Sequence, residues 1–337
     1  GRTQPAPVAR EFLAEMAHIL NALFSALQAK ASPGPIAGRL FGTLIWGDGH
    51  PYGRIETDAT IDAVKLKDCD KVIAKLRPAG AKLWVTGMIG KDELTQAINS
   101  RLPAWKGKAP GRPKIAAAKP RLGTVFFVHV PDAAQSSIYV GHPGPRRQDA
   151  DYEATDLMME ILGGSFSSRI NMNLREDKGW SYGVRSTVSS PLGPRALTVS
   201  APVQADRTGD SIRLILADMA AFPAKKPVEP VELGRVTDGN VRGLPNKFQT
   251  NAQVLGAVVA GERLGRPDNY IATLASRYRA IDAKAIDAMA RLYLQPQDLT
   301  FVVVGDRKVV EPQLRKLALP LEIAHRINQA LVAGSGK

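Results

Sequence analysis

Residues 149–186 read DADYEATDLMMEILGGSFSSRINMNLREDKGWSYGVRS, and the switch from helical to extended patterning within them decides the fold. From Asp149 to Leu162, Tyr152, Thr155, Leu157, Met158, Ile161 and Leu162 recur at helical spacing, which predicts an amphipathic helix with one buried face. Gly163 and Gly164 stop it. Ser168 to Lys178 predicts a second helix, with Gly179 where a glycine ends a helix in a left-handed turn. Trp180 then begins an extended segment, in which Val184 to Val188 reads as strand.

Arg175 and Tyr182 therefore flank a helix-to-strand turn. A guanidinium with fixed donors and a phenol hydroxyl placed there can both point at one peptide carbonyl, or at the oxyanion that develops from it. On residue types alone, a solvated Arg175-Glu176-Asp177-Lys178 helix end and a tyrosine packed at a sheet rim are the commoner outcome. Arg185, in the strand that follows, carries the same charge as Arg175 and is set outside the pair. Gly163-Gly164-Ser165 is not a phosphate loop, because it follows a helix and lacks the Gly-Lys-Ser/Thr ending.

A second pattern is an internal repeat. Tyr52 and Tyr270 are 270 − 52 = 218 residues apart, and Leu76/Leu294, Pro78/Pro296, Val85/Val303 and Gly87/Gly305 share that offset without a gap. Both copies read as helix, Leu-x-Pro turn and short apolar strand, the strands being Lys82 to Gly87 and Leu299 to Gly305. The offset is too long for a solenoid and fits two similar domains. Subtracting it from the start of the second unit near Leu122 puts the start of the first about 95 residues before Gly1.

The order Gly163-Gly-Ser-Phe-Ser-Ser-Arg169, Leu174-Arg175-Glu176, Gly179-x-x-Tyr182 resembles the C-terminal half of the pitrilysin-like zinc metallopeptidases, the group of insulysin and the mitochondrial processing peptidase subunits. The resemblance continues more weakly through His50-Pro51-Tyr52-Gly53 and Val304-Gly305-Asp306 and covers most of the chain. With the repeat, it implies an α+β fold of two homologous units, each a mainly antiparallel sheet covered by helices on one face, facing each other as a clamshell around a peptide. The expected division is a partial first unit over 1–103, a basic Pro/Ala-rich linker over 104–121, a complete second, inactive-type unit over 122–319 and a tail over 320–337. The resemblance gives Arg175 and Tyr182 the substrate-binding and carbonyl-polarising role, reaching toward a zinc held by the first half.

The family's inverted zinc motif, His-x-x-Glu-His, does not occur in this sequence, and its place in the first unit falls before Gly1. A further glutamate ligand of the family lies eight residues ahead of a proline that matches Pro33. That position is Ser25, a neutral and poor zinc ligand, and no carboxylate lies between His18 and Asp48. The resemblance thus implies a non-catalytic subunit paired with a zinc-binding homologous partner, or self-associating. The alternatives are a whole protein that is itself the peptidase, its metal motif lying upstream, and a non-hydrolytic peptide-binding or assembly protein.

Composition sets the remaining bounds. With 337 residues, 44% of them hydrophobic, the chain can bury two cores, and no apolar run is long enough for a transmembrane helix. The lone Cys69 excludes an internal disulfide but leaves both the periplasm, the expected compartment, and the cytoplasm open. The net charge of +13 is concentrated partly between Lys106 and Arg121, where six basic and no acidic residues alternate with prolines. Only Trp105 stands near this stretch, so it reads as a solvated linker and not a nucleic-acid surface. Glu11, Glu15 and His18 share a helical face that could hold a metal weakly, but a solvated face is the expectation. His50 lies in a Gly/Pro-rich turn and is assigned no chemistry.

The chain purified alone should hold no stoichiometric zinc and cleave no peptide. Elemental analysis after dialysis checks this; about one retained zinc per chain would overturn it and promote the Glu11-Glu15-His18 triplet.

Overall fold

The computed structural model describes residues 32–47, 49–55, 58–75, 81–101, 115, 117–189 and 191–323. The Glu11-Glu15-His18 triplet, Ser25, the Leu76-x-Pro78 turn, most of the linker and residues 324–337 of the tail lie outside them. Six strands form one sheet: Val125–His129 (β1), Gln135–Gly144 (β2), Arg185–Val188 (β3), Arg195–Gln204 (β4), Thr300–Gly305 (β5) and Leu321–Ile323 (β6). Their order in space is β3-β4-β2-β5-β1-β6. The pairs β3/β4, β4/β2 and β2/β5 are antiparallel, whereas β1 runs parallel to both β5 and β6. The fold is α+β with a mainly antiparallel sheet.

Before the sheet come helices Pro33–Trp46 (α1), Asp58–Asp62 (α2), Leu66–Ile73 (α3) and Lys91–Arg101 (α4). Tyr152–Met159 (α5), Arg169–Asn171 (α6), Thr208–Ala221 (α7), Pro230–Gly243 (α8), Asn251–Arg263 (α9), Tyr270–Ala280 (α10), Ala283–Tyr293 (α11) and Arg307–Leu314 (α12) follow. Successive side chains of a strand face opposite sides, so the runs Val125-Phe-Phe-Val128 and Phe301-Val-Val-Val304 supply two apolar faces at once. Val125, Phe127, Phe301 and Val303 join the core built with α5, α7, α11 and α12. Phe126, Val128, Val302 and Val304 meet Ile36, Leu40, Phe41 and Leu44 of α1 on the other face. A helix assigned by sequence to the first unit therefore closes the back of the second unit's sheet. Its C-terminal carbonyls are capped by the end of the linker, Arg121 N–H donating to Leu44 at 2.9 Å and Lys119 N–H to Trp46 at 3.2 Å.

The repeat is visible in the element map. Adding 218 to 33–46 gives 251–264, one residue longer than α9; adding it to 66–73 gives 284–291, within α11; adding it to 82–87 gives 300–305, which is β5. Gly47 and Gly265 end α1 and α9 with φ of 80° and 64°. The environments differ, however. Val254 and Val258 of α9 are 42% and 47% exposed, whereas the matching Ile36 and Leu40 of α1 are fully buried. The expected strand at 82–87 is not formed: the segment has no regular secondary structure, is mostly exposed and joins no ladder among the described residues. Its repeat image β5 is a strand because β1 and β2 bond to it on both sides, and no strand lies beside 82–87 among the described residues. At the other end, the sheet extends into the expected tail, because three residues, too few to show a period, pair with the outer edge of β1 as β6.

Two buried polar networks fix α5, the helix that leads to the turn of interest. Arg195 of β4, 1% exposed, donates to Pro145 O at 2.9 Å and to Asp156 Oδ1 at 2.5 Å. Glu153, 5% exposed, accepts from Tyr270 Oη at 2.8 Å and Arg277 Nε at 3.0 Å, tying α5 to α10. Burial alone would push the Glu153 carboxyl up; the bonds from Arg277 and Tyr270 outweigh it and hold the group below its ordinary 4.5. A depressed carboxylate contributes stability that is present above its unfolded value and is lost as pH falls through its folded one. Glu153→Gln should therefore destabilise the protein by about 1–2 kcal/mol at neutral pH. Denaturant unfolding across pH should show the gap to wild type closing below pH 4.5, the group's ordinary value.

Candidate functional site

The two helices predicted over 149–162 and 168–178 form, but each widens into a π turn at its end, Glu160–Gly164 and Met172–Asp177. Single π turns inserted in helices shift the side chains beyond them and recur at functional sites. Here both border the same cleft, of about 450 Å³. One wall is the Gly163-Gly164-Ser165-Phe166 turn, and the facing wall is the entry to β3 from Tyr182 to Arg185. Gly163 permits the approach of the two walls, because a Cβ there would lie 2.8 Å from Ser186 Cβ.

The helix-to-strand turn is held at several points. Gly179 adopts φ 64°, and Trp180 N–H reaches back to Leu174 O at 2.9 Å, closing the last carbonyls of the helix. Ser181 Oγ donates to Pro202 O at 2.6 Å, and Gln204 N–H donates to Trp180 O at 2.9 Å, fixing the turn to the end of β4. Buried Asn171 joins the walls: its Nδ2 donates to Phe166 O at 2.6 Å and its Oδ1 accepts from Val184 N–H at 3.0 Å. Arg169, by contrast, turns away from the cleft. It forms a bidentate pair with Glu232, donates to the Lys226 and Pro227 carbonyls and lies 4.1 Å from the Phe222 ring centre, anchoring α6 to α8.

Arg175 and Tyr182, singled out in the sequence, are brought together at this cleft. The guanidinium carbon of Arg175 is 5.3 Å from the Tyr182 ring centre and 4.7 Å from that of Phe166. Its Nε pairs with Glu176 Oε1 at 3.2 Å. Tyr182 is 85% exposed and Phe166 58% exposed, so neither ring is packed into the core. Contacts of this kind are worth about 0.5–1 kcal/mol each at exposed sites, enough to restrict the guanidinium without immobilising it. His50, assigned no chemistry, is buried against Trp46 and caps the 51–53 turn by accepting from Tyr52 N–H at 3.1 Å.

Residues 71–236 match the family model described as the peptidase M16 inactive domain, a span that contains the whole cleft. That segment belongs to the M16 inactive-domain family. The inactive-domain match agrees with relatives of both descriptions. Over 218 residues the chain is 26% identical to an uncharacterised zinc protease of Mycobacterium leprae, covering 63% of this chain and 48% of that protein. Over 257 residues it is 24% identical to a non-peptidase homologue of Helicobacter pylori, covering 75% and 58%. The chain thus spans about half the length of the curated relatives it matches. Among solved structures, an M16 inactive domain from Pseudomonas fluorescens superposes with a TM-score of 0.73 at 21% identity, over 87% of this chain and 71% of that one.

Among the described residues of this inactive domain and its flanks, no three His, Cys, Asp or Glu side chains converge to hold a metal. Three cleft residues escaped the sequence reading. Arg185, set outside the pair, lines the cleft wall. Phe166 lies inside the quoted motif but was given no role. Asn171 was legible in principle, since it precedes Arg175 by four residues and so shares its helical face. Replacing it by similarly sized leucine leaves the Phe166 carbonyl and the Val184 N–H without a partner. Asn171→Leu should cost about 2 kcal/mol in denaturant unfolding.

Proposed function

We propose that this chain is the non-catalytic, substrate-binding half or subunit of a zinc metalloendopeptidase, in which Arg175 and Tyr182 bind the peptide and polarise its scissile carbonyl. The observation that carries the reading is the Arg175 guanidinium set against two exposed rings, that of Phe166 and the phenol of Tyr182, at a cleft inside the inactive-domain match. Rings on the guanidinium narrow the orientations of its fork of donors before substrate arrives, and a donor pair positioned in advance gains most from a developing oxyanion. Tyr182 lies between Ser181 and Gly183, which are held by hydrogen bonds, and its exposed hydroxyl bonds to none of the described residues. Zinc, held by a homologous partner subunit or by residues outside this sequence, would supply water activation and Lewis acidity. The residues of this chain bind and orient the peptide.

The relatives' descriptions support two further readings. The mycobacterial zinc protease supports a whole protein that is itself the peptidase, and the Helicobacter non-peptidase homologue supports peptide binding without hydrolysis. Kinetics of the complex reconstituted with its zinc-binding partner separate them. Tyr182→Phe keeps the ring and removes the hydroxyl, and it should lower kcat on the order of 10²-fold, about 3 kcal/mol. Arg175→Lys keeps the charge but loses the planar fork, and it should be comparably damaging. The control is Arg242→Lys on α8, an 82% exposed side chain outside the cleft. Full activity of both cleft variants in a complex that demonstrably requires zinc would make this chain a scaffold.

A further inference from the structure

We infer that the cleft selects peptides with an acidic side chain close to the carbonyl held by Arg175 and Tyr182, and that Arg185 is the residue that reads it. The inference rests on the peptide-binding reading above. Among the described residues two guanidiniums, Arg175 and Arg185, line the cleft, and no carboxylate does. Cationic clefts are not the rule on this surface: the neighbouring depression sets Arg169 and Lys226 against Asp177, Asp218, Glu229 and Glu232. In the first cleft the donors outnumber their acceptors. Among the described residues the one acceptor of the Arg175 side chain is Glu176, on Nε, and Glu176 lies outside the lining. Ser165 Oγ is buried in the opposite wall without a hydrogen-bond partner among the described residues. Arg185 is exposed and forms no salt bridge among the described residues.

Donors without acceptors fit a ligand that brings acceptors. A neutral peptide supplies carbonyls, which suffice for Tyr182 and for the terminal nitrogens of Arg175. Among the groups of a peptide, a carboxylate is the strongest match for a second guanidinium, which binds it through two parallel charge-assisted bonds. Arg185 opens β3 in register with Ser200, three residues after Tyr182. Three residues of extended chain span at most about 10 Å. The carboxylate therefore belongs to a side chain within about three residues of the bound carbonyl.

The test is fluorescence anisotropy with the full chain and labelled nonapeptides identical except for Asp, Asn or Lys at one position, scanned along the peptide. At low ionic strength the best Asp peptide should bind about tenfold more tightly than its Asn counterpart, the Lys peptide should bind least, and added salt should shrink the ratio. Arg185→Gln should bring the Asp/Asn ratio to about one, and Arg185→Lys should keep part of it, because the charge remains while the fork is lost. Thermal unfolding of each variant checks that an exposed substitution has left the fold intact. An Asp/Asn ratio unchanged by Arg185→Gln, or Asn and Lys peptides that bind as well as Asp, would overturn the inference. If peptides bind and Tyr182→Phe still impairs turnover, only the acidic preference falls. If no peptide binds and Tyr182→Phe leaves turnover intact, the peptide-binding reading falls with it.

Discussion

Everything in this fold hangs on two adjacent parallel strands that are apolar on both faces. Val125, Phe126, Phe127 and Val128 of β1 lie beside Phe301, Val302, Val303 and Val304 of β5, all of them at most 1% exposed. Burying a side chain of this size stabilises by about 1.5–3 kcal/mol, so neither face of the pair can be left to water. The front face is satisfied by helices from the same half of the chain. The back face requires α1, which has seven buried residues. The sheet and this helix are therefore one core, although the sequence places them in different units.

From that core the site is built outward. β2 bonds to β5, β4 bonds to β2 and β3 bonds to β4, so the cleft lies at the edge of the sheet farthest from β6. An edge strand has unpaired backbone groups, and here the Gly163-Gly164 turn comes up against β3 and limits its exposure. Asn171 then sets the spacing of the two walls through a single buried amide. The groups that face solvent, Phe166, Tyr182 and Arg185, are mounted on parts that cannot shift independently. The buried polar contacts do the positioning, and the exposed side chains remain free for contact.

The helix, glycine turn and strand of residues 149–186 were legible because their period changes where glycine intervenes, and the 218-residue offset was legible because it recurs without a gap. The two π turns were not: an extra residue in a turn leaves the apolar spacing nearly intact, so Met172–Asp177 reads as ordinary helix. The segment 82–87 has the apolar content of a strand, but a strand is a property of a pair, and sequence patterning reports only one partner. Arg185 was missed for a related reason. In sequence it is one of several arginines in and after the motif, and only the approach of the Gly163 wall shows that it faces the same space as Arg175. The docking of α1 on β5 was beyond reach, because it joins elements more than 250 residues apart that share no local signal.

That long-range docking bears on how the chain is made. At about 5–20 residues per second, α1 is complete on the order of ten seconds or more before β5 leaves the ribosome. During this interval Ile36, Leu40, Phe41 and Leu44 have no sheet to cover, and a helix with such a face is a target for chaperones and for unwanted association. Contacts of high sequence separation also slow folding, because the loop must close before any burial rewards it. Synthesis, more than equilibrium stability, is where this architecture is most exposed.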